Sequence, residues 1–316
     1  MIEIFSAVLP VFILIGVAYL AVRLGYLKPI IADALNAFAI KLAVPILLFR
    51  AMLTLDFSAA FYPPMIIAFF VGTFSCFILG IVLSRTVWNR RPGEAVAVGF
   101  MAMFSNTVML GLPIIDRAYG ENTLTPAFGI VSMHAPLLYV VGMITMEMSR
   151  RDGRPLGETL VSAGRSIITN ALMIGIAIGI AFNFSSITLP EPIMAAVDMF
   201  AAAAIPAALI GTGAALTRYG LLNDLSESLT VSALQLIIHP AIAFVLAHFV
   251  FGLDPVYVRA AVILAAMPPG MNVYIFAVIY NRAVALAAST MLIATLLSIV
   301  SISIWIATLN TVLGTP

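Results

Sequence analysis

The sequence predicts an all-α polytopic membrane protein of ten transmembrane helices, on three observations. Hydrophobic residues make up 63% of the 316 and charged residues 9%, against roughly 45–50% and 25% in soluble domains. Apolar stretches recur at about the 20-residue length an α-helix needs to cross a bilayer, and only short polar loops separate them. Arginine and lysine gather on alternate loops, the bias that marks the cytoplasmic side of a membrane protein.

In chain order the spans fall near residues 4–23, 33–54, 64–86, 94–118, 123–148, 164–184, 191–216, 227–251, 255–281 and 284–310. The first is followed by Lys28-Pro29 rather than a small-residue cleavage site, so it reads as a retained helix and not a signal peptide. The third contains Cys76, the only cysteine. One thiol excludes an intrachain disulfide and a thiolate metal cage, which leaves a small core residue. Gly211-Thr212-Gly213 lies inside the apolar seventh span with no strand unit after it, so it reads as close helix packing rather than a nucleotide loop. Ten spans put both termini on one side. Arg23, Lys28, Arg85, Arg90, Arg91, Arg150, Arg151, Arg154, Arg165, Arg218 and Arg282 fall on the other, and Arg50, Arg117 and Arg259 on the terminal side. The expectation is a multi-pass protein of the cell (inner) membrane with both termini outside. A net charge of +1 gives no reason to expect a nucleic-acid partner.

Two spans are interrupted. The fourth contains Phe104-Ser105-Asn106-Thr107-Val108-Met109-Leu110-Gly111-Leu112-Pro113, and the ninth Met267-Pro268-Pro269-Gly270-Met271-Asn272. A break at membrane depth is tolerated only when it is buried in protein or lines a cavity. Paired interruptions in matching halves of a chain point to the binding site of a secondary transporter. An offset of 161 superposes Pro29 on Pro190, Pro45 on Pro206 and Tyr119 on Tyr280, and brings the Asn106 break onto Met267. Five spans per half would make the halves inverted repeats: residues 1–148, a cytoplasmic loop at 149–163, and residues 164–316.

Each break leaves a half-helix whose first N–H groups and partial positive charge suit a carboxylate. Asn106 and Asn272 can each donate and accept, either to a substrate or to the broken backbone. Ser105, Thr107 and Gly270 are further candidates for the substrate site, while Gly111, Pro113, Pro268 and Pro269 are expected to make the breaks.

Asn106 to Pro113 followed by Tyr119-Gly120 resembles the fourth-helix crossover of the auxin efflux carrier family, which includes bacterial malonate and malate carriers and the plant PIN proteins. Pro268, Gly270, Asn272, Phe276, Ala277 and Tyr280 resemble its ninth-helix crossover. The resemblance implies a scaffold of helices one, two, six and seven and a transport core of helices three, four, five, eight, nine and ten. Helices four and nine would cross in an elevator-like carrier. Plant members carry a crossover proline where this chain has Val273, so the resemblance is closer to the bacterial members.

Ionisable residues within spans are costly and usually functional. Lys41 lies about ten residues from either end of its span, some 15 Å deep at 1.5 Å per residue, and is expected either to attract an anionic substrate or to fix helix packing. Asp198 and His134 are candidates for proton coupling; the alternatives are an interhelical pair or carbonyl contact nearer the outer surface for Asp198 and a satisfied core histidine for His134. Glu227 is expected only to solvate a cytoplasmic loop. No metal site is expected. The expected function is secondary active transport of a small organic anion by alternating access, coupled to H⁺ or Na⁺ and without other cofactors, in a monomer or homodimer. A bile-acid-type sodium symporter is the nearest alternative, and a membrane enzyme or receptor the alternative of another class.

Overall fold

The structure, a computed structural model, describes residues 2–150, 161, 165, 168–169, 171–185, 187–217 and 224–315. Most of the expected 149–163 loop and Arg218 lie outside the described residues. Among the described residues there is no named strand; everything is helix and short connection. The helices are α1 (Ile2–Arg23), α2 (Pro29–Phe38), α3 (Val44–Leu53), α4 (Phe57–Ala60), α5 (Pro63–Thr86), α6 (Pro92–Met103), α7 (Leu112–Tyr119) and α8 (Glu121–Arg150). They continue with α9 (Ala171–Phe184), α10 (Glu191–Leu216), α11 (Leu225–Ala233), α12 (His239–Phe244), α13 (Pro255–Ala265), α14 (Met271–Tyr280) and α15 (Val284–Leu313). Six runs are long and apolar enough to cross a membrane: Ala34–Leu53, Pro63–Thr86, Glu121–Ser149, Glu191–Leu216, Leu225–Val250 and Val284–Leu313.

Wider π-helical turns join several of these pieces, at Ala39–Ala43, Thr107–Gly111, Leu234–Ile238 and Val245–Val250. Three of them run into α3, α7 and α12, each with a proline at its second residue: Pro45, Pro113 and Pro240. Proline lacks an N–H and its ring crowds the carbonyl four residues back. A π-turn at that point shifts the hydrogen-bond register and lets the helix continue. This corrects the expectation for Gly111 and Pro113: both lie in a continuous helical run, and the interruption falls earlier, at Phe104–Asn106. Gly111 has a packing role instead, because a Cβ there would sit 2.7 Å from Leu264 Cδ2.

Contacts sort the helices into two groups. In the first, α1 packs on α10, α3 on α9, and α10 on both α2 and α3. The approach is close enough to require glycine, since a Cβ at Gly213 would meet the Ile15 carbonyl oxygen at 2.1 Å and one at Gly175 that of Pro45 at 2.2 Å. The second group packs α5 on α6, α5 and α13 on α12, α6 and α13 on α8, and α11 and α14 on α15. Its centre is α6 and α13, the first halves of the two interrupted spans; residues Val262 to Met267 are fully buried. Cys76 is buried there as expected, with its Sγ on the Leu234 carbonyl at 3.3 Å.

Glu227 departs from expectation. It is fully buried, accepts from Ser84 Oγ at 3.1 Å and takes two hydrogen bonds from Arg90, at 3.0 and 2.9 Å. Arg90 also reaches Asp224 at 2.6 Å. Partial burial works against the guanidinium charge, but the hydrogen bonds Arg90 donates to Glu227 and Asp224, with the charges of those carboxylates, outweigh it and hold the Arg90 pKa above its ordinary value. The loop between α5 and α6 is thereby fastened to the start of α11.

Candidate binding cleft at the paired helix breaks

The two interruptions meet and run antiparallel. The Asn106 N–H donates to the Pro268 carbonyl at 2.8 Å, the Gly270 N–H donates to the Phe104 carbonyl at 3.3 Å, and Ser105 lies opposite Pro269. Backbone groups freed by one break therefore satisfy groups freed by the other, as they must where water cannot reach. Proline fits at position 268 because that residue supplies only its carbonyl, and at 269 because the residue opposite Ser105 supplies neither group to the pairing. The pairing sets Asn106 opposite Pro268.

A cleft of ≈650 Å³ opens beside this pairing. Its walls are Phe104 to Met109 from the first break, Gly270 to Asn272 from the second, His134 and Ala135 of α8, and apolar residues of the other group, among them Ile40, Val44, Met173 and Ile176. A second cleft of ≈900 Å³ shares Ile40, Ala135, Met173 and Asn272 with the first and continues past Tyr139, Met143 and Thr169 to Tyr280. The space thus begins at the breaks, between the two helix groups, and leads toward the ends of α8 and α14.

Several expected residues come together in this cleft: Ser105, Asn106, Thr107, Gly270, Asn272 and His134. The Tyr139 hydroxyl donates to Asn272 Oδ1 at 3.1 Å, which fixes the amide and leaves its NH₂ as a donor. Sequence reasoning missed Tyr139; an aromatic hydroxyl mid-span, three residues after Pro136, was the available signal. Ser105 Oγ and His134 Nε2 are buried in the wall without a hydrogen-bond partner. The His134 ring is held edge-on against Phe104 and Phe69, with centroids at 4.7 and 5.9 Å. On the far side of Phe69, His239 contacts Thr73 Oγ1 at 3.0 Å and the Phe69 carbonyl at 3.2 Å.

Two expected residues lie elsewhere. Lys41 is exposed on the outer side of its π-turn, and its neighbour Ile40 faces the cleft instead. Depth along the helix was legible in the sequence, but the π-turn changes which face a given position presents. Asp198 forms an ion pair with Arg50, both side chains nearly half exposed, and lies outside the cleft. Neither cleft has lysine or arginine among its described lining residues. No group of three or more potential metal ligands occurs among the described residues.

These features define a class: a helical, multi-pass membrane protein with a mainly apolar cleft set against two mutually paired helix breaks. The chain belongs to the membrane transport protein family, the auxin efflux carrier family of the resemblance above, whose model matches residues 3–306. It is 26% identical over 303 residues to a protein of Rhizobium meliloti (strain 1021) named "Putative malonate transporter", covering 96% of this chain and 95% of that one. A protein of Methanothermobacter thermautotrophicus named "Uncharacterized transporter" is 25% identical over 308 residues, covering 95% of this chain and 96% of the relative. A mouse protein named "Lysosomal cholesterol signaling protein" is 26% identical over 339 residues, which cover 99% of this chain but 38% of the larger protein.

Proposed function

We propose that this chain is a secondary active carrier of a small organic anion, a carboxylate, in the cell membrane. The observation that carries the reading is the mutual pairing of the two breaks, with Asn106 and Asn272 both on the adjoining cleft. The half-helices beginning at Thr107 and Met271 start at that region and bring the partial positive charge of their N-termini to it, where an anion gains most, although the Thr107 N–H itself donates to the Ser105 carbonyl at 2.9 Å. In this reading ten helices form two inverted repeats, spans four and nine cross at the breaks, and both termini lie outside. The group built on α1, α2, α3, α9 and α10 is the scaffold, and the group centred on α6 and α13 is the transport core. Movement of the core against the scaffold exposes the cleft to each side in turn.

The wider cleft leads toward the side that carries Arg282, which the charge bias makes cytoplasmic, and this supports an inward-facing conformation. Coupling is to H⁺ or Na⁺, and His134 is the titratable side chain on the described cleft wall. Asp198, committed to Arg50, contributes no support to a proton role. The relative named for malonate supplies the first substrate to try. Uptake of labelled malonate and other mono- and dicarboxylates into proteoliposomes, with pH and Na⁺ gradients imposed in turn, tests the reading. Gradient-driven accumulation of at least one carboxylate is expected; no accumulation of any would overturn it.

A further inference from the structure

We infer that the ligand of this cleft is a singly charged species with a protonated or neutral polar second end, and in particular the monoanion of a short dicarboxylic acid. The inference deepens the carrier function proposed above and rests on it. Three features of the wall carry it. First, the described lining residues offer partial charges and amides but no lysine or arginine. One carboxylate can be held by the Asn106 and Asn272 amides on the cleft wall; a second full charge in the same mainly apolar space would be left without a countercharge, which is costly.

Second, Ser105 Oγ and His134 Nε2 are buried orphan polar atoms on the same wall, their residues 1% and 2% exposed. Buried polar atoms in native proteins normally have partners, so an orphan pair lining a cleft calls for a group that completes them. A carboxylic acid has one O–H donor and one carbonyl acceptor. A serine hydroxyl can donate to that carbonyl, and a neutral imidazole nitrogen can accept from that O–H. A carboxylate only accepts, so it could satisfy the serine but would use the imidazole only in its N–H tautomer or as a cation.

Third, the wall around His134 is aromatic and carries no carboxylate among the described lining residues. The His134 ring is enclosed by Phe69 and Phe104, and the imidazole of His239 lies beyond Phe69. His239 Nε2 is in contact with Thr73 Oγ1 and the Phe69 carbonyl, while its Nδ1 is buried without a partner. The described lining of both clefts contains no aspartate or glutamate that could stand beside an imidazolium at 134.

The test is ligand-induced thermal stabilisation of the purified full-length protein by malonate and by a monocarboxylate of similar length, measured from pH 5 to pH 8. If the monoanion is the ligand, the apparent affinity for malonate falls about tenfold per pH unit above its second ionisation, because the binding species is diluted by that factor. Affinity for the monocarboxylate, whose single ionisation is essentially complete by about pH 6, stays flat from there to pH 8 while that for malonate keeps falling. Replacing the partners, as His134→Phe or Ser105→Ala, is expected to reduce the preference for malonate at pH 5 over the monocarboxylate, with His134→Gln restoring part of it. Malonate binding that stays flat or strengthens from pH 5 to pH 8 would overturn the inference while leaving the carrier reading in place. No stabilisation by any carboxylate would overturn both.

Discussion

Asn106 and Asn272 sit on the same cleft with different backbone duties. The Asn106 N–H is used by Pro268, and the Asn272 side-chain oxygen is used by Tyr139. Alanine at either position removes a hydrogen-bonding amide while leaving the antiparallel backbone pairing in place. Both Asn106→Ala and Asn272→Ala are therefore expected to lose most transport, with a binding loss of roughly 1–3 kcal/mol per unsatisfied partner and unchanged monodispersity by size-exclusion chromatography; wild-type uptake rates would remove both from the site. Lys41 leads to the opposite expectation, since it is exposed away from the cleft. Lys41→Met should retain a ligand-induced rise in melting temperature of wild-type size. The asparagines were legible in the sequence because a polar residue next to a helix break at membrane depth has few structural reasons to be there. Lys41 was misread because its direction depends on the local helix pitch, which hydropathy does not encode.

Among the helices, the breaks were legible as a region but not to the residue. Gly111 and Pro113 are strong helix-breakers by propensity, yet the π-turn at Thr107–Gly111 absorbs the proline and the chain stays helical to Tyr119. Tight packing was legible in kind: Gly211-Thr212-Gly213 read as helix packing, and Gly213 meets α1 at its Ile15 carbonyl. Gly213→Ala drives a methyl into backbone that cannot rotate away, so a loss of roughly 1–3 kcal/mol is expected from overpacking, read as a lower melting temperature. The Arg90–Glu227 clamp was not legible, because the two residues are 137 apart in sequence and a glutamate near a loop ordinarily faces water. Arg90→Ala would strand the buried Glu227 carboxylate. A destabilisation of about 3 kcal/mol is expected, the low end for a broken buried pair because about a quarter of Arg90 reaches solvent. A change of melting temperature indistinguishable from zero would show that Ser84 alone suffices for Glu227.

At the scale of the whole molecule, long-range polar fasteners hold each helix group together internally. In the first group Asn183 Nδ2 donates to the carbonyls of Met52, Leu53 and Leu55, at 3.0 to 3.1 Å, tying α9 to the end of α3, and Arg50 pairs with Asp198 between α3 and α10. In the second, the Arg90–Glu227 clamp, the Tyr139–Asn272 hydrogen bond and the bond from Trp305 Nε1 to the Leu236 carbonyl at 2.9 Å join α5, α8, α11, α14 and α15. The cleft between the groups is faced by apolar side chains such as Ile40, Val44, Ala135 and Met173. Apolar contacts are non-directional and can be exchanged along a seam, whereas a hydrogen-bonded fastener must break before its helices separate. That contrast supports rigid groups that shift against each other, and it yields a further expectation. Ala135 on α8 and Met173 on α9 face the cleft from opposite groups. With both replaced by cysteine in a Cys76→Ser background, a short bifunctional maleimide should join the groups. Linked protein in proteoliposomes is expected to lose uptake well beyond the loss that an adduct in the cleft causes in each single-cysteine protein treated in the same way. Ligand added before the reagent should slow the linkage, because it occupies the space to be bridged. If the joined protein still transports at the rate of the unlinked one, relative movement of the two groups is not the transport step.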